Sequence, residues 1–497
     1  MESLTFVLFG STGDLAKRKI FPALYNLYLE QKLPRTLSII GLGRNKFSDD
    51  EFQQYVENSL NTFSRRKPED HASVAEFISY FRYYGLDAAD KEGYKELLKL
   101  VESREKELNI PQNRLFYLSV APEFFDVIAL NIKESGLGNT KGWKRLIIEK
   151  PFGHDLKSAR ELNEKLSKSF EEDEIFRIDH YLGKPMVQNL ETLVAANPFL
   201  KALWNNQYIA NIQITASETV GVEERAGYYD GTGAIRDMFQ NHMLQMLLMT
   251  AMHLPTPITP QNIRNQKSSL MKSIRRIAKE DVAKHVVRAQ YTAGKMNGKP
   301  VVGYREEPGV DPSSMTDTFI AARLWIEDFF WREVPFYIRT GKRMAEKCTK
   351  IVVEFKDPLQ DLQGSKAAPN LLTIQINPNE KITLQLNGKN LLKNGEMESI
   401  NMDFSPASDN IPEAYELLIH DAIRGDASFF AHWEEVEQAW ELVQPILDAF
   451  EENLVPLETY PAGSYGPEAS DRLLAEQGFK WWQDEEKADQ KELSVTH

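Results

Sequence analysis

Between Leu4 and Ile148, short β-rich runs alternate with helix-patterned stretches, and this alternation constrains the fold more than any other feature of the chain. Leu4 to Phe9, Leu37 to Ile40, Phe81 to Tyr84, Leu115 to Val120 and Arg145 to Ile148 read as strands. Lys17 to Glu30, Asp49 to Leu60, Lys91 to Leu108 and Pro122 to Glu134 read as the helices between them, the second opened by a capping box of Ser48 and Glu51. Strands separated by helices pair most readily in parallel, each helix serving as the crossover on one face of the sheet. The pattern therefore predicts an α/β, Rossmann-like, doubly wound parallel sheet at the N-terminal end.

After about Tyr181 the pattern changes. Phe319 to Ile326, Pro335 to Arg339, Ile351 to Phe355, Leu371 to Ile376 and Lys381 to Leu386 are strands with few helices between them, and Pro378-Asn379-Glu380 marks a hairpin. Helical patterns return at Pro412 to Arg424 and Trp433 to Glu451, and Asp484 to His497 is polar enough to be a frayed tail. The expected architecture is α/β plus α+β: residues 1–180 as a dinucleotide-binding domain, and residues 181–497 as a larger domain on a mostly antiparallel sheet with helices.

Composition narrows the function. With 497 residues, 42% of them hydrophobic, the chain can bury more than one core. A formal net charge of -14 argues against nucleic acid as a partner, because duplex binding needs a basic surface. The start of the chain lacks a secretory pattern, and the apolar stretch from Met243 to Met252 is too short to span a bilayer, so a cytoplasmic protein with no membrane partner is expected. The single cysteine, Cys348, has no cysteine partner for an internal disulfide.

The first strand runs into Gly10-Ser11-Thr12-Gly13-Asp14-Leu15-Ala16 and then a helix. Glycines here allow a tight turn and close approach of backbone to a pyrophosphate, which the helix N-terminus attracts with its free N–H groups. Two residues rather than one separate the glycines, a departure from G-x-G-x-x-G, yet the position in the first strand-turn-helix unit points to a dinucleotide. At the end of the second strand, where an NAD site usually carries an acid, Arg44 stands instead. A basic group there suits the extra phosphate of NADP, with NAD use left open.

Two later segments, Glu149-Lys150-Pro151-Phe152-Gly153 and Arg177-Ile178-Asp179-His180-Tyr181-Leu182-Gly183-Lys184, complete a set of three with the Gly10 turn. Together they resemble the signature segments of the glucose-6-phosphate dehydrogenases. The similarity extends to Phe116-Tyr117-Leu118, Gln240-Asn241-His242, Ile338-Arg339-Thr340-Gly341-Lys342 and Gly463-Ser464-Tyr465-Gly466-Pro467; Val120-Ala121-Pro122 departs where many relatives have a second proline.

Oxidising a hemiacetal hydroxyl needs a base for the O–H proton while the C–H hydride leaves, and neutral imidazole titrates in the right range. A carboxylate behind that imidazole would stabilise the imidazolium as it forms. The residues alone offer His180 and His242 as bases, with Asp179 as the carboxylate. The resemblance implies that His242 is the base and Asp179 its partner, while His180, Tyr181 and Lys184 hold the substrate phosphate. It further implies that Glu218 and Asp237 bond sugar hydroxyls, that Lys342 and Lys347 complete the pocket, and that Lys150, before a cis proline, lies between cofactor and sugar. Lys17 and Tyr117 are expected at the cofactor with Gly10 to Leu15 and Arg44.

The implied reaction is oxidation of glucose 6-phosphate to 6-phosphogluconolactone with NADP, the first step of the oxidative pentose phosphate pathway, by a homodimer; no metal is expected, because His180 and His242 lack further ligands at metal-site spacing. The rival readings are an enzyme of the glucose-fructose oxidoreductase and inositol dehydrogenase group acting on an unphosphorylated sugar, and a non-catalytic NADPH sensor.

Overall fold

The computed structural model describes residues 1–255, 257–356, 368–393, 396–405 and 410–482, so the tail expected from Asp484 to His497 lies outside the described residues. The chain divides into two compact units. The first takes Met1–Pro185 and adds Ile258–Arg264 and Ile411–Glu437; the second takes the intervening stretches and the C-terminal part.

In the first unit, strands β1 (Leu4–Phe9), β2 (Leu37–Gly43), β3 (Phe81–Gly85), β4 (Arg114–Leu118), β5 (Lys144–Glu149) and β6 (Ile175–Ile178) form one sheet in the order β3-β2-β1-β4-β5-β6. Every pairing is parallel, as the alternation predicts. Successive side chains of a strand point to opposite faces, so each strand feeds two cores. Leu4, Phe6 and Leu8 join Leu37, Ile39, Leu115 and Ile147 on one face. Val7 and Phe9 join Ile40, Leu42, Phe116 and Ile148 on the other.

The five expected strands are all present with ends shifted by a few residues, and the helix Lys91–Leu108 has the expected bounds. Ser48 caps the helix Asp49–Phe63 with both bonds of the expected box: the Glu51 N–H donates to Ser48 Oγ at 3.2 Å, and the Ser48 N–H to Glu51 Oε2 at 2.7 Å. The helix expected over Lys17 to Glu30 is divided into a π-helical turn, Ala16–Ile20, and an α-helix, Phe21–Leu29. Helices His71–Ser79 and Leu156–Ser167 and the short strand β6 were not anticipated.

The helix Ala414–Arg424 returns from late in the chain to cover one face of this sheet, placing Leu418, Ile419, Ala422 and Ile423 in the core with Leu4 and Phe6. It also buries a carboxylate. Glu416, 1% exposed, accepts from Arg65 Nε and a terminal Arg65 nitrogen, both at 2.7 Å, and from Asn26 Nδ2 at 3.0 Å. A buried ion survives only when paired and hydrogen-bonded, and Glu416 has both.

In the second unit a nine-stranded sheet runs β16-β15-β14-β13-β7-β12-β11-β8-β17. In chain order these are β7 (Ile209–Ser217), β8 (Val286–Thr292), β11 (Phe319–Trp325), β12 (Pro335–Gly341), β13 (Cys348–Phe355), β14 (Leu371–Asn377), β15 (Lys381–Asn390), β16 (Glu396–Phe404) and β17 (Leu457–Pro461); β9 (Gly294–Met296) and β10 (Lys299–Val301) pair separately. The sheet is mostly antiparallel, as expected, with parallel pairs at β12–β7 and β17–β8. The hairpin expected at Pro378-Asn379-Glu380 joins β14 to β15.

Central strand β7 was not anticipated, and both of its faces are buried. Asn211, Gln213 and Thr215 are all buried; Asn211 Nδ2 donates to Glu354 at 2.8 Å and Gln213 Nε2 to the Lys480 carbonyl at 2.8 Å. Among the described residues no helix is long and apolar enough to cross a membrane.

Glu416→Ala removes the acceptor of Arg65 and Asn26 and is expected to cost about 3 kcal/mol, the usual effect of breaking a buried ion pair. Thermal and denaturant unfolding measure it; a midpoint equal to the parent's would show that the pair does not hold the returning helix.

Candidate active site

The sheet order of the first unit reverses between β1 and β4, and in open parallel sheets the crevice at such a switch point, beyond the carboxyl ends of the strands, is where ligands bind. Gly10 sits there with φ +76°, and a Cβ at this position would lie 2.1 Å from the Ser119 carbonyl oxygen. Only glycine permits so close a passage of two chains. Ser11 is buried and fastens the turn to β2, its N–H and Oγ donating to the Leu42 carbonyl at 2.9 and 3.1 Å. Tyr55 supports the turn from outside by donating to the Thr12 carbonyl at 2.9 Å.

Gly10, Thr12, Gly13, Gly43 and Arg44 line a cleft of about 350 Å³. Arg44 is exposed at the end of β2. Asp14 begins the following helix and pairs with Arg18 at 2.7 Å and Lys17 at 3.7 Å, the Arg18 bond holding its carboxyl below the usual range. Leu15 packs against the sheet core. Tyr117 and Lys150 are outside the lining of this cleft.

Tyr117 is fully buried, and its hydroxyl donates to Glu149 Oε1 at 2.6 Å. Glu149 ends β5 and Lys150 follows, joined to Pro151 by a cis bond. The Tyr415 hydroxyl, from the returning helix, also donates to Glu149. Burial nevertheless pushes the Glu149 carboxyl up to about 7, and the neighbouring Asp179 charge adds to the rise, while the two phenols and Lys150 oppose it. Burial raises both phenols well above their ordinary range.

Past the end of β6, Asp179 is buried, and its Oδ1 accepts the Tyr181 N–H at 2.9 Å while its carbonyl accepts that of Leu182 at 3.0 Å. This tight turn gathers His180, Tyr181 and Lys184. The His180 and Tyr181 rings meet edge-to-face at 5.0 Å, and Lys184 Nζ lies 3.6 Å above the Tyr181 ring. Gly183 makes the gathering possible, because a Cβ there would lie 2.7 Å from the Ala414 carbonyl oxygen.

In the second unit, His242 is 1% exposed on a π-helical stretch, Ile235–Met243, which also carries buried Asp237. Such stretches recur at functional sites because their wider turn redirects side chains. Asp317 anchors its start: a carboxylate oxygen accepts the Ile235 N–H at 2.9 Å and the backbone carbonyl accepts that of Ala234 at 2.8 Å. His242's own N–H donates to Asn241 Oδ1 at 2.6 Å.

Strand ends gather a second set. Ser217 of β7 lies beside Gly341 of parallel β12 and Cys348 of antiparallel β13, so Glu218, Lys342 and Lys347 leave the same end of three adjacent strands. Lys342 Nζ meets Glu218 Oε2 at 2.5 Å and lies 5.0 Å from the centre of the Tyr229 ring, while Lys347 is exposed. Burial, then the charges of Asp237, Asp317 and Glu218, raise the Tyr229 hydroxyl well above its ordinary range, which puts these carboxylates around one phenol. Tyr229, Asp317, Glu149 and Tyr415 escaped the sequence reading as site residues. The glutamate of the E-K-P segment was the one signal that pointed to any of them.

Residues 7–189 match the family model "Glucose-6-phosphate dehydrogenase, NAD binding domain", and residues 192–482 match "Glucose-6-phosphate dehydrogenase, C-terminal domain". The chain is 46% identical over 482 residues to the glucose-6-phosphate 1-dehydrogenase of Bacillus subtilis, covering 96% of this chain and 97% of that one. It is 42% identical over 478 residues to that of Leuconostoc mesenteroides, covering 95% and 97%. Among solved structures, a glucose-6-phosphate dehydrogenase in complex with its substrate glucose-6-phosphate superposes with a TM-score of 0.89 at 37% identity, over 97% of this chain and 98% of that one. With both halves matched and the identity running almost end to end, this chain belongs to the glucose-6-phosphate dehydrogenase family of oxidoreductases.

Proposed function

We propose that this protein oxidises glucose 6-phosphate at C1 to 6-phosphogluconolactone, the first step of the oxidative pentose phosphate pathway, with NADP as the acceptor and NAD as an alternative. The observation that carries the reading is the His180-Tyr181-Lys184 cradle beyond β6, in a chain of this family. Two potential cations and a phenolic donor on one turn suit a doubly charged phosphate, which an enzyme for unphosphorylated sugars has no use for.

In this reading His242 takes the proton of the C1 hydroxyl as a neutral imidazole, and Asp179 stabilises the imidazolium. Glu218 and Asp237 orient the sugar through its hydroxyls, and Lys342 and Lys347 complete the substrate pocket. The bound nicotinamide supplies the hydride acceptor. Gly10 to Leu15 receive the pyrophosphate, Arg44 the 2'-phosphate, and Lys17 and Lys150 further parts of the cofactor, with Lys150 also facing the sugar; Tyr117, expected at the cofactor, is instead buried in the sheet core with its hydroxyl on Glu149. Residues 1–180, joined by the returning Ile411–Glu437, serve as the cofactor domain and most of residues 181–497 as the substrate and dimerisation domain of a cytoplasmic enzyme.

A homodimer is favoured by an apolar surface on the edge of the large sheet. Leu386 of β15 and Ile400, Met402 and Phe404 of β16 are exposed, with Leu386 paired to Ile400 across the strands. Contiguous exposed apolar side chains on edge strands mark an interaction surface.

Four measurements test these assignments. His242→Asn is expected to lower kcat by about 100-fold or more with little change in KM, as loss of a general base does. Lys184→Ala should instead raise the KM for glucose 6-phosphate by roughly 10- to 100-fold, the usual worth of a charged hydrogen bond; near-parent turnover by the first, or an unchanged KM in the second, would remove that role.

Arg44→Ala should weaken NADP far more than NAD in initial-rate assays, and equal losses would remove the 2'-phosphate contact. Ile400→Asp combined with Phe404→Asp should convert the dimer to a monomer in sedimentation velocity; a parent of monomer mass would rule out the dimer.

A further inference from the structure

The first unit holds a buried acid that the proposed mechanism does not use. Glu149 lies at the carboxyl end of β5, beside the end of β6, where Glu149 pairs with Ile178 and Asp179 comes next. Around its carboxyl stand Lys150, next in the chain past the end of β5, Tyr117 from β4, Tyr415 from the returning helix and Asp179 beyond β6. Tyr117 donates at 2.6 Å and Tyr415 donates as well. Two phenols compensate this buried carboxylate less than the guanidinium and amide donors that meet Glu416, so its charge is balanced only in part and stands beside Lys150 and Asp179.

We propose that Glu149, clamped by Tyr117 and Tyr415, is a positioning residue for the dehydrogenase reaction: as a carboxylate it holds the Lys150 ammonium in its working place at the strand ends beside Asp179.

The inference rests on the reaction proposed above and adds to it a second ionisation that governs turnover. Burial places the Glu149 carboxyl at about 7, so it is protonated below that pH and ionised above it. Protonated, it no longer attracts the Lys150 ammonium and accepts two phenolic protons less well. Turnover therefore needs both an ionised Glu149 and a neutral base, and both conditions are met as pH rises. Tyr415 lowers the Glu149 value, so its loss moves the requirement to higher pH.

The test is the pH dependence of kcat/KM with glucose 6-phosphate and NADP, from about pH 6 to about pH 9, for the parent, Glu149→Gln and Tyr415→Phe. The parent is expected to lose activity on the acid side with a logarithmic slope of about 2, and Glu149→Gln with a slope of about 1 and a kcat roughly tenfold lower at its best pH. Tyr415→Phe should keep the steeper slope, shifted to higher pH, so that its loss is largest in acid and shrinks in alkali.

A merely structural Glu149 would leave the slope unchanged and lower activity by one factor at every pH; either result overturns the proposal. Infrared titration of the protein without substrate reads the carboxyl directly, as a protonated C=O band that vanishes near neutral pH and is missing from Glu149→Gln. Absence of that band in the parent also overturns the proposal. An inactive parent that shows the band counts against the reaction and not against the ionisation.

Discussion

All six strands of the first unit run in the same direction, so their carboxyl ends open on one edge of the sheet. The geometry of parallel pairing does the rest. The Gly10 turn leaves β1, Arg44 leaves β2, Lys150 leaves β5 and Asp179 leaves β6, each from that edge. Helix crossovers take the chain back to the other edge between strands, which keeps irregular backbone and its polar groups at the end where a ligand can meet them. Rigid strands thus carry the chemistry, and short turns aim it.

The second unit reaches a similar result with different means. Its sheet is mixed, and one parallel pair, β12 against β7, lies next to antiparallel β13. That local arrangement brings three strand ends together and sets Glu218 against Lys342. The π-helical stretch beside it carries Asp237 and His242 five residues apart, a spacing that suits its wider turn. Asp317, buried at the start of that stretch, ties it to the strand that follows, β11.

Buried charge recurs in the first unit and is treated in two ways. Glu416 is fully compensated by Arg65 and Asn26 and ties the returning helix to the sheet. Glu149 has phenols rather than a fork of guanidinium donors, and its carboxyl rises to about 7. A paired ion holds an element in place; an acid left near neutrality can change its charge in the physiological range.

The sequence by itself determined the strand-helix alternation, the parallel sheet it implies, the glycine turn, and the Asp179 to Lys184 segment, because each is local: periodicity, turn chemistry and short spacing suffice to read them. It also carried the hairpin between β14 and β15. Only the tertiary structure decided what covers the first sheet, since nothing in the Ala414–Arg424 pattern says which of several apolar faces it will meet. The burial of the polar face of β7 was hidden for a related reason: its side chains look solvent-facing until partners such as Glu354 supply their bonds. The Glu149 clamp, likewise, joins residues 117, 149 and 415, and hydrogen bonds across such separations leave no period in the sequence by which to find them.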